Sequence, residues 1–360
     1  MRSLKFFAAV ALVSIVNVLA LVAIAGYMRA SAGGPYADVN GDCNGDGWIN
    51  LADPVYLLNF LFSSGPPPVA IASGPQLTAE QAEMLSHMSI EYLDDGQGGT
   101  AKTIRFTGVN VQIVNGLGAT NGNPSNPADT LSVQTNGVGN LILGYNEAVA
   151  VDDERTGSHN LIVGYGLRYT SCAGIAAGLH NMTAGPYSSA IAGAGNRVNG
   201  VASSTVGGYA NEANSGATII GGGSNSASGG VVVSGNQNNA IGSFSLVCGG
   251  VLNIAQGDRS LVLGGQSNDA NALLSTVVGG GGNICSGDNS TCMGGNNNSA
   301  VGFSSAIFGG SSNVASGNFS VVTGGGSNQA DGDYSAASGG FQRSAVGQYD
   351  WVAGSLFEDQ

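Results

Sequence analysis

The chain has 360 residues, of which 61 are glycine, and only 9% are charged, with a formal net charge of −13. The glycines follow no three-residue period, which excludes collagen, and a hydrophobic content of 42% excludes simple disorder. The net negative charge argues against a nucleic-acid-binding protein, because phosphate contacts need Lys and Arg.

The first 32 residues are typical of an export signal. Arg2 and Lys5 precede a mostly apolar run from Phe6 to Gly26, and Ala30-Ser31-Ala32 has the small-x-small pattern of a cleavage site. An apolar run of this length can also span a bilayer. We therefore expect residues 1–32 to be a signal peptide or an N-terminal membrane anchor. The protein is then secreted or held at the cell surface, with no other membrane contact.

Residues 42–53 predict a calcium-binding loop. Oxygen-bearing side chains stand at loop positions 1, 3, 5, 9 and 12, and glycine stands at position 6, which is the EF-hand spacing. The helix Pro54–Phe62 is expected to follow, with proline at its start. A register that begins at Asp38 fails because it places Cys43 at the glycine position. The predicted ligands are Asp42, Asn44, Asp46, Trp48 through its carbonyl, Asn50 and Asp53.

The same stretch resembles a dockerin repeat, which ends in Asp at position 12 where many EF-hands have Glu. The resemblance implies a calcium cofactor in a module spanning residues 33–63, and a cohesin-like binding partner. Dockerin domains normally pair two such repeats, and the sequence shows one. The alternative is an Asp/Asn-Gly loop that binds no ion.

A linker and a short helix are expected next. The Pro66–Pro68 run predicts a stiff linker over residues 64–76. Thr78 and Gln81 have the spacing of a capping box at the start of a helical neck over residues 77–88. Such a helix is too short to be stable alone. It therefore packs on its own chain or meets other copies in a short bundle.

Alternating apolar residues predict a β-rich shoulder over residues 89–136. The expected elements are a strand around Ile90 and Tyr92, a turn at Asp95-Gly96, and strands Thr103–Thr107 and Val109–Val114.

A period near fifteen residues runs through the rest of the chain, over residues 137–354. The consensus is Ser-x-Val-x-Gly-Gly-x-x-Asn-x-Ala-x-Gly plus two linking residues. We expect each repeat to form two short strands and to make one turn of a coil that has roughly fourteen turns. The glycine pair predicts one tight corner, and asparagine, which tolerates left-handed backbone angles, predicts the next. The columns that mark the repeat include Asn253, Asn268, Asn283, Asn298, Asn313 and Asn328, and Val247, Val262, Val277, Ile307 and Val322.

Two adjacent apolar columns in the first strand indicate that both of its faces are covered. Neighbouring strand residues point to opposite faces, so one column fills the coil against the small column at Ala255 and its equivalents. The other column has nothing in its own chain to pack on, whether it is the one that holds Val262 and Ile307 or the one that holds Leu263 and Phe308. Because exposed Val, Ile, Leu and Phe side chains each forgo about 1.5–3 kcal/mol, we expect a partner chain.

These repeats resemble the heads of trimeric autotransporter adhesins, the YadA-like heads. The stretches that carry the resemblance include Ser188-Ser189-Ala190-Ile191-Ala192-Gly193 and Ser260-Leu261-Val262-Leu263-Gly264. It implies an all-β fold, a left-handed parallel β-roll or β-solenoid, packed as a homotrimer. Trp351, Leu356 and Phe357 break the repeat and predict a C-terminal cap that includes residues 355–360.

No arrangement of residues in the sequence indicates catalysis, so we expect a protein that is not an enzyme. His87, His159 and His180 lie far apart in the sequence. The acids of the repeats, such as Asp258, Asp288 and Asp333, are scattered, so we expect no cluster of carboxylates of the kind that glycan cleavage needs. The five cysteines are odd in number and contain no CxxC. Those in the repeat columns, Cys248, Cys285 and Cys292, are expected to be small buried hydrophobes.

Two functions follow from these observations. The first is an exported structural or adhesive surface fibre, a homotrimer with its asparagine and serine columns exposed to a surface glycan, another ligand or solvent, and with a calcium-binding repeat for docking or assembly. The second is a secreted carbohydrate-binding or carbohydrate-processing β-solenoid that carries the dockerin-like repeat as a docking tag.

Overall fold

The computed structural model describes residues 49–66, 77–148 and 154–354. They belong to two compact units, Met1–Asn110 and Val111–Gln360. Most of the described secondary structure is β, and the second unit is a parallel β-solenoid. Of the segments predicted from sequence, the export signal, most of the calcium loop and residues 355–360 lie outside the described residues.

Two helices are described in the first unit. Helix α1 spans Ala52–Ser63, and Ser64 ends it in a left-handed conformation. It begins two residues before the predicted start because Pro54 is tolerated within the first turn, where backbone N–H groups have no helical acceptor. Helix α2 spans Ala79–Ser86, and its capping box is confirmed. The Gln81 backbone N–H donates to Thr78 Oγ1 at 3.2 Å, and the Thr78 N–H donates to Gln81 Oε1 at 2.9 Å.

An antiparallel hairpin of β1, Met88–Asp94, and β2, Thr100–Phe106, follows α2. At its turn, Asp95 Oδ1 accepts from the backbone N–H groups of Gln97 and Gly99 at 2.8 and 2.9 Å, which lowers the pKa of that carboxyl. The predicted strand Val109–Val114 is not formed. Its alternation of apolar residues is real, but no second strand pairs with this segment, and several of its side chains are exposed.

The solenoid consists of two parallel sheets, and each turn of the chain contributes one strand to each. Sheet 1 has 15 described strands. They are β3 Leu141–Leu143, β4 Leu161–Tyr165, β6 Ile175–Leu179, β8 Ser189–Ile191, β10 Ser204–Val206, β12 Thr218–Ile220, β14 Val231–Val233, β16 Leu246–Cys248, β18 Leu261–Leu263, β20 Thr276–Val278, β22 Thr291–Met293, β24 Ala306–Ile307, β26 Val321–Val322, β28 Ala336–Ser338 and β30 Trp351–Ala353.

Sheet 2 has 13 described strands, so the expected fourteen turns lie between the two strand counts. They are β5 Arg168–Tyr169, β7 Met182–Thr183, β9 Arg197–Val198, β11 Glu212–Asn214, β13 Ser226–Ser228, β15 Asn239–Ala240, β17 Ile254–Ala255, β19 Asp269–Ala270, β21 Ile284–Cys285, β23 Ser299–Ala300, β25 Val314–Ala315, β27 Gln329–Ala330 and β29 Ser344–Ala345. At about 4.8 Å between neighbouring strands, sheet 1 extends about 65 Å across its strands.

The core is a thin layer between the two sheets. One inward residue from each strand fills it, mainly Val or Ile from sheet 1 and Ala from sheet 2. Of the two adjacent apolar columns of the first strand, the Val column is the one that points inward. Its members Val247, Val262, Val277, Ile307 and Val322 have no exposed surface. Where sheet 1 offers the smaller Ala190, sheet 2 offers the larger Val198, so the filled volume is kept at this turn.

The corners of each turn have left-handed backbone angles. In one turn, Gly249 and Gly250 have φ of 70° and 79°, which confirms the glycine corner. At the next corner the left-handed residue is Leu252, with φ of 58°, and not the asparagine that follows it, so the predicted role of Asn253 is wrong. The asparagine side chain instead points inward, where it forms several hydrogen bonds. Between the two corners, Val251 forms a single-residue bridge to each neighbouring turn.

Candidate self-association surface and calcium loop

The asparagine column forms a continuous ladder of hydrogen bonds inside the solenoid. The Asn253 Oδ1 atom accepts the backbone N–H of Asn268 at 3.1 Å. Its Nδ2 atom donates to the carbonyl of Gly249 in its own turn and to that of Gly265 in the next, both at 3.1 Å. The pattern repeats from Asn181 to Asn328. It ends at Arg343, whose backbone N–H donates to Asn328 Oδ1 at 2.9 Å, because a guanidinium carries no acceptor atom with which to continue the ladder.

The asparagine and serine columns are buried, so the expectation that they face ligand or solvent is wrong. Asn253, Asn268, Asn283, Asn298, Asn313 and Asn328 have no exposed surface, and serines such as Ser245 and Ser260 are about 1% exposed. The reason is geometric. The serine column is the first inward position before each strand of sheet 1, and the asparagine column is the equivalent position before each strand of sheet 2.

The outward face of sheet 1 is uncharged and mostly apolar, with serine and threonine at most of its other positions. We call it the apolar face, and it comprises the two residues that flank the buried one in each strand. In the later of its two columns, the exposed hydrophobic side chains between Ile191 and Phe308 range from Val233, at 37% exposed, to Phe308, at 49%. The later column of the face contains Ile191, Val206, Ile220, Val233, Cys248, Leu263, Val278, Met293 and Phe308, and then Thr323 and Ser338.

The outward face of sheet 2 has the opposite character. Its first column is mainly polar and holds charges of both signs, with Ile254, Ile284 and Val314 as the apolar exceptions. The members are Arg197, Glu212, Ser226, Asn239, Ile254, Asp269, Ile284, Ser299, Val314, Gln329 and Ser344. Water therefore solvates the outward face of sheet 2 well and the apolar face of sheet 1 poorly.

Three acids of the repeats share one corner column, which the sequence reading did not find. Asp258 and Asp288 are separated by two repeats, and Asp333 follows after three more. Their Oδ1 atoms accept backbone N–H groups one turn away, from Ser243 at 2.9 Å in the case of Asp258 and from Asn318 at 2.9 Å in the case of Asp333. The available signal was the spacing of these acids, which is a multiple of the fifteen-residue repeat. They hold corners together and form no carboxylate cluster.

Aromatic rings stack along the same corner near the C-terminal end of the solenoid. Phe319 and Tyr334 are stacked with centroids 5.0 Å apart, and Tyr334 stacks on Tyr349 at 5.3 Å. Phe303 meets Phe319 edge to face at 5.3 Å. Aromatic contacts of this kind add about 0.5–1.5 kcal/mol per pair beyond area burial, so the exposed rings reinforce neighbouring turns.

Two of the six predicted calcium ligands lie among the described residues. Asp53, in the first turn of α1, is 2% exposed, and its Oδ2 accepts the backbone N–H of Asn50 at 2.8 Å. Asn50 Oδ1 accepts the N–H of Ala52 at 2.6 Å. Asp42, Asn44, Asp46 and Trp48 lie outside the described residues. These two residues therefore contribute a buried carboxylate and an amide oxygen, both ligand types that suit Ca²⁺.

The described histidines have structural partners. His159 Nε2 accepts the backbone N–H of Asn115 at 3.1 Å, which leaves Nδ1 to donate to the Thr120 carbonyl at 3.0 Å. Within residues 49–66, 77–148 and 154–354, no three His, Cys, Asp or Glu side chains are grouped closely enough to hold a metal ion. Neither described helix has the length and apolar content to cross a membrane.

No protein-family model matches this chain, and no curated protein matches it by sequence.

Proposed function

We propose that this protein is an exported structural fibre protein whose solenoids associate as a homotrimer through the apolar face. The observation that carries the proposal is the division of the coil into an uncharged apolar face on sheet 1 and a mostly polar face on sheet 2. A β-solenoid of repeated turns is a shape that gives length and stiffness, and it fits a structural repeat protein.

The cost of an uncovered apolar face supports self-association. Leu263, Met293 and Phe308 are 39%, 48% and 49% exposed, and similar side chains occupy the neighbouring rungs. Removing such surface from water stabilises by about 25 cal/mol per Å², and a patch that runs along most of sheet 1 exceeds what monomeric proteins commonly expose. Because the face is uncharged and repeats on every rung, a second copy of the same face is complementary to it. Three-fold packing follows the resemblance to YadA-like heads.

The internal hydrogen bonds support a mechanical role. Every asparagine in the ladder links its own turn to the next, and the Asp column repeats this at a corner. Networks of satisfied buried polar groups make a structure rigid and specify one register. The polar face of sheet 2 remains for contact with solvent, a surface glycan or another ligand.

The N-terminal module is proposed to bind calcium and to dock or assemble the fibre. The buried Asp53 carboxylate at the start of α1 supports a ligand at the last position of the loop. Calcium, when bound, would neutralise the loop acids and fix the loop against α1. Val55, Leu61 and Phe62 are exposed on α1, and they are suitable contacts for a cohesin-like partner.

A matched pair of substitutions tests the fibre proposal. Leu263 on the apolar face and Ile284 on sheet 2 are each 39% exposed, so Leu263→Glu and Ile284→Glu place the same charge at equal exposure on opposite faces. The proposal predicts that Leu263→Glu reduces the sedimenting mass while the β-type circular dichroism spectrum is kept, and that Ile284→Glu does not change the mass. Equal masses for both variants and the wild type would contradict it, and glycan cleavage by a monomer would favour the carbohydrate-processing alternative.

A further inference from the structure

Two cysteines lie on facing strands of the solenoid interior. Cys285 belongs to β21 in sheet 2, and Cys292 belongs to β22 in sheet 1, the next strand along the chain. Both have no exposed surface and belong to the same hydrophobic core. The prediction that the repeat cysteines are buried is therefore confirmed for Cys285 and Cys292. It is wrong for Cys248, which is half-buried at an outward position of sheet 1.

The sulfur atoms of this pair each reach across the coil to the opposite sheet. Cys285 Sγ donates to the carbonyl of Thr276 in sheet 1 at 3.2 Å, and Thr276 pairs in register with Thr291, which precedes Cys292. Cys292 Sγ donates to the carbonyl of Ile284 in sheet 2 at 3.7 Å, and Ile284 precedes Cys285. Cys292 Sγ therefore lies beside the residue that precedes Cys285, and Cys285 Sγ lies beside Thr276, which is one rung away from the residue that precedes Cys292.

The surroundings of the pair are apolar and closely packed. Cys285 is paired in sheet 2 with Ala270 and Ala300, and Cys292 is paired in sheet 1 with Val277 and Ile307. A facing Ala–Val pair and a facing Cys–Cys pair have the same number of side-chain heavy atoms. Two thiols therefore fill the space that the neighbouring turns fill with hydrocarbon, and a bond between them adds no atoms to the core.

We propose that Cys285 and Cys292 form a disulfide that joins the two sheets at this turn. The oxidant is an external disulfide, either a small-molecule one such as oxidised glutathione or that of a thiol–disulfide oxidoreductase. One cysteine thiolate attacks a sulfur of the external disulfide and expels one external thiolate. The second cysteine thiolate then attacks the resulting mixed disulfide and expels the other. The S–S bond of the protein replaces the external one, and the two protons lost by the cysteines go to the two released thiols.

The exchange takes place before the turn closes, because neither sulfur is accessible in the closed coil. In the reduced closed coil, the contact with Cys292 and then burial raise the pKa of the Cys285 thiol, while the same contact lowers the pKa of Cys292. The Cys285 thiol therefore stays protonated, and the protonated form is a poor nucleophile. The covalent state set during folding is then retained. The proposal rests on the coil interior and not on the fibre function.

Peptide mapping of the full chain tests the proposal directly. The protein is refolded in a glutathione redox buffer, unfolded in acid, alkylated without reduction and digested at aspartate. Asp288 lies between the two cysteines and Arg or Lys does not, so cleavage before Asp288 separates them unless a disulfide connects the two peptides. We expect a linked pair of peptides in which neither cysteine is alkylated, and complete alkylation of both after reduction.

Substitutions that follow the repeat columns provide the controls. Cys285→Ala and Cys292→Val each introduce the usual residue of that column, and each is expected to leave the remaining cysteine fully alkylated. Complete alkylation of both cysteines in the unreduced wild type would overturn the proposal. Linkage of either one to Cys43, Cys172, Cys248 or another chain would also overturn it. The wild-type map decides the matter even if a variant does not fold.

Discussion

The backbone N–H of Asn283 donates to Oδ1 of Asn268 at 3.0 Å, although the two residues are fifteen positions apart. Both side chains have no exposed surface. This bond is one rung of the ladder that makes an asparagine in one turn the acceptor for the backbone of the next. The stability of the solenoid therefore depends on side-chain amides as well as on its thin apolar core.

Removing one rung should destabilise the solenoid more than removing a serine of the neighbouring buried column. Asn268→Ala leaves the N–H of Asn283 buried without its acceptor, which costs about 1–3 kcal/mol. Ser260→Ala removes a buried hydroxyl that has no hydrogen-bond partner among the described residues, so we expect a change within about 0.5 kcal/mol. The measurement is the urea midpoint of unfolding for both variants. Equal midpoints would show that the ladder does not contribute.

The two glycines of a corner should differ in their tolerance of a methyl group. Gly249 and Gly250 both have positive φ, which costs an alanine about 1–2 kcal/mol. A Cβ at Gly249 meets no atom within 4 Å, whereas a Cβ at Gly250 overlaps the carbonyl oxygen of Gly265 in the next turn. We expect Gly250→Ala to lose about 1–3 kcal/mol more than Gly249→Ala. Thermal unfolding of the two variants, side by side, measures the difference, and equal losses would refute the close approach.

Protonation of Asp269 should stabilise the solenoid. This residue is flanked in sheet 2 by Ile254 and Ile284, and burial raises the pKa of its carboxyl above 3.8. The folded state holds this proton more tightly than the unfolded chain does. The stabilising contribution of protonated Asp269 to the free energy of unfolding is therefore fully present below pH 3.8. It is lost as the pH rises through the folded pKa.

The Asp269→Asn variant isolates that contribution. Its stability relative to the wild type should increase with pH across this window and then level off. The measurement is chemical denaturation of both proteins as a function of pH. Parallel pH profiles would contradict a destabilising Asp269 carboxylate in the folded state.

The calcium proposal predicts a heat of binding that depends on the loop acids. Isothermal titration of the protein with CaCl₂ should show binding, and Asp46→Ala and Asp53→Ala should abolish it because each removes a carboxylate ligand. Asp38→Ala is the control, since Asp38 lies outside the predicted loop, and it should bind as the wild type does. No heat in the wild type, or equal heats in all four proteins, would end the proposal.

The sequence was sufficient to predict the parts of the fold that a periodic pattern controls. The two strands per turn, the glycine corner at Gly249-Gly250 and the capping box at Thr78 are confirmed because local spacing determines them. The roles of Asn253 and Ser245 were wrong because polarity alone suggests exposure. Only the path of the coil shows that both columns point inward. Val109–Val114 failed as a strand because alternation does not supply a pairing partner.

The candidate surface was predictable for a similar reason. Two adjacent apolar columns predicted an apolar residue on each face of sheet 1, and the structure assigns Val262 to the interior and Leu263 to the outside. That a partner chain covers the outer face stays a prediction. The facing of Cys285 and Cys292 was not predictable from their spacing, because it depends on which strand residues meet across the coil.

The most direct test of the account is the absolute mass of the refolded protein in solution, measured by light scattering coupled to size-exclusion chromatography. If three chains cover one another's apolar faces, the measured mass is that of three chains at every concentration at which the protein is folded. The mass of one chain, from a sample with the circular dichroism spectrum of a folded β protein, would contradict it.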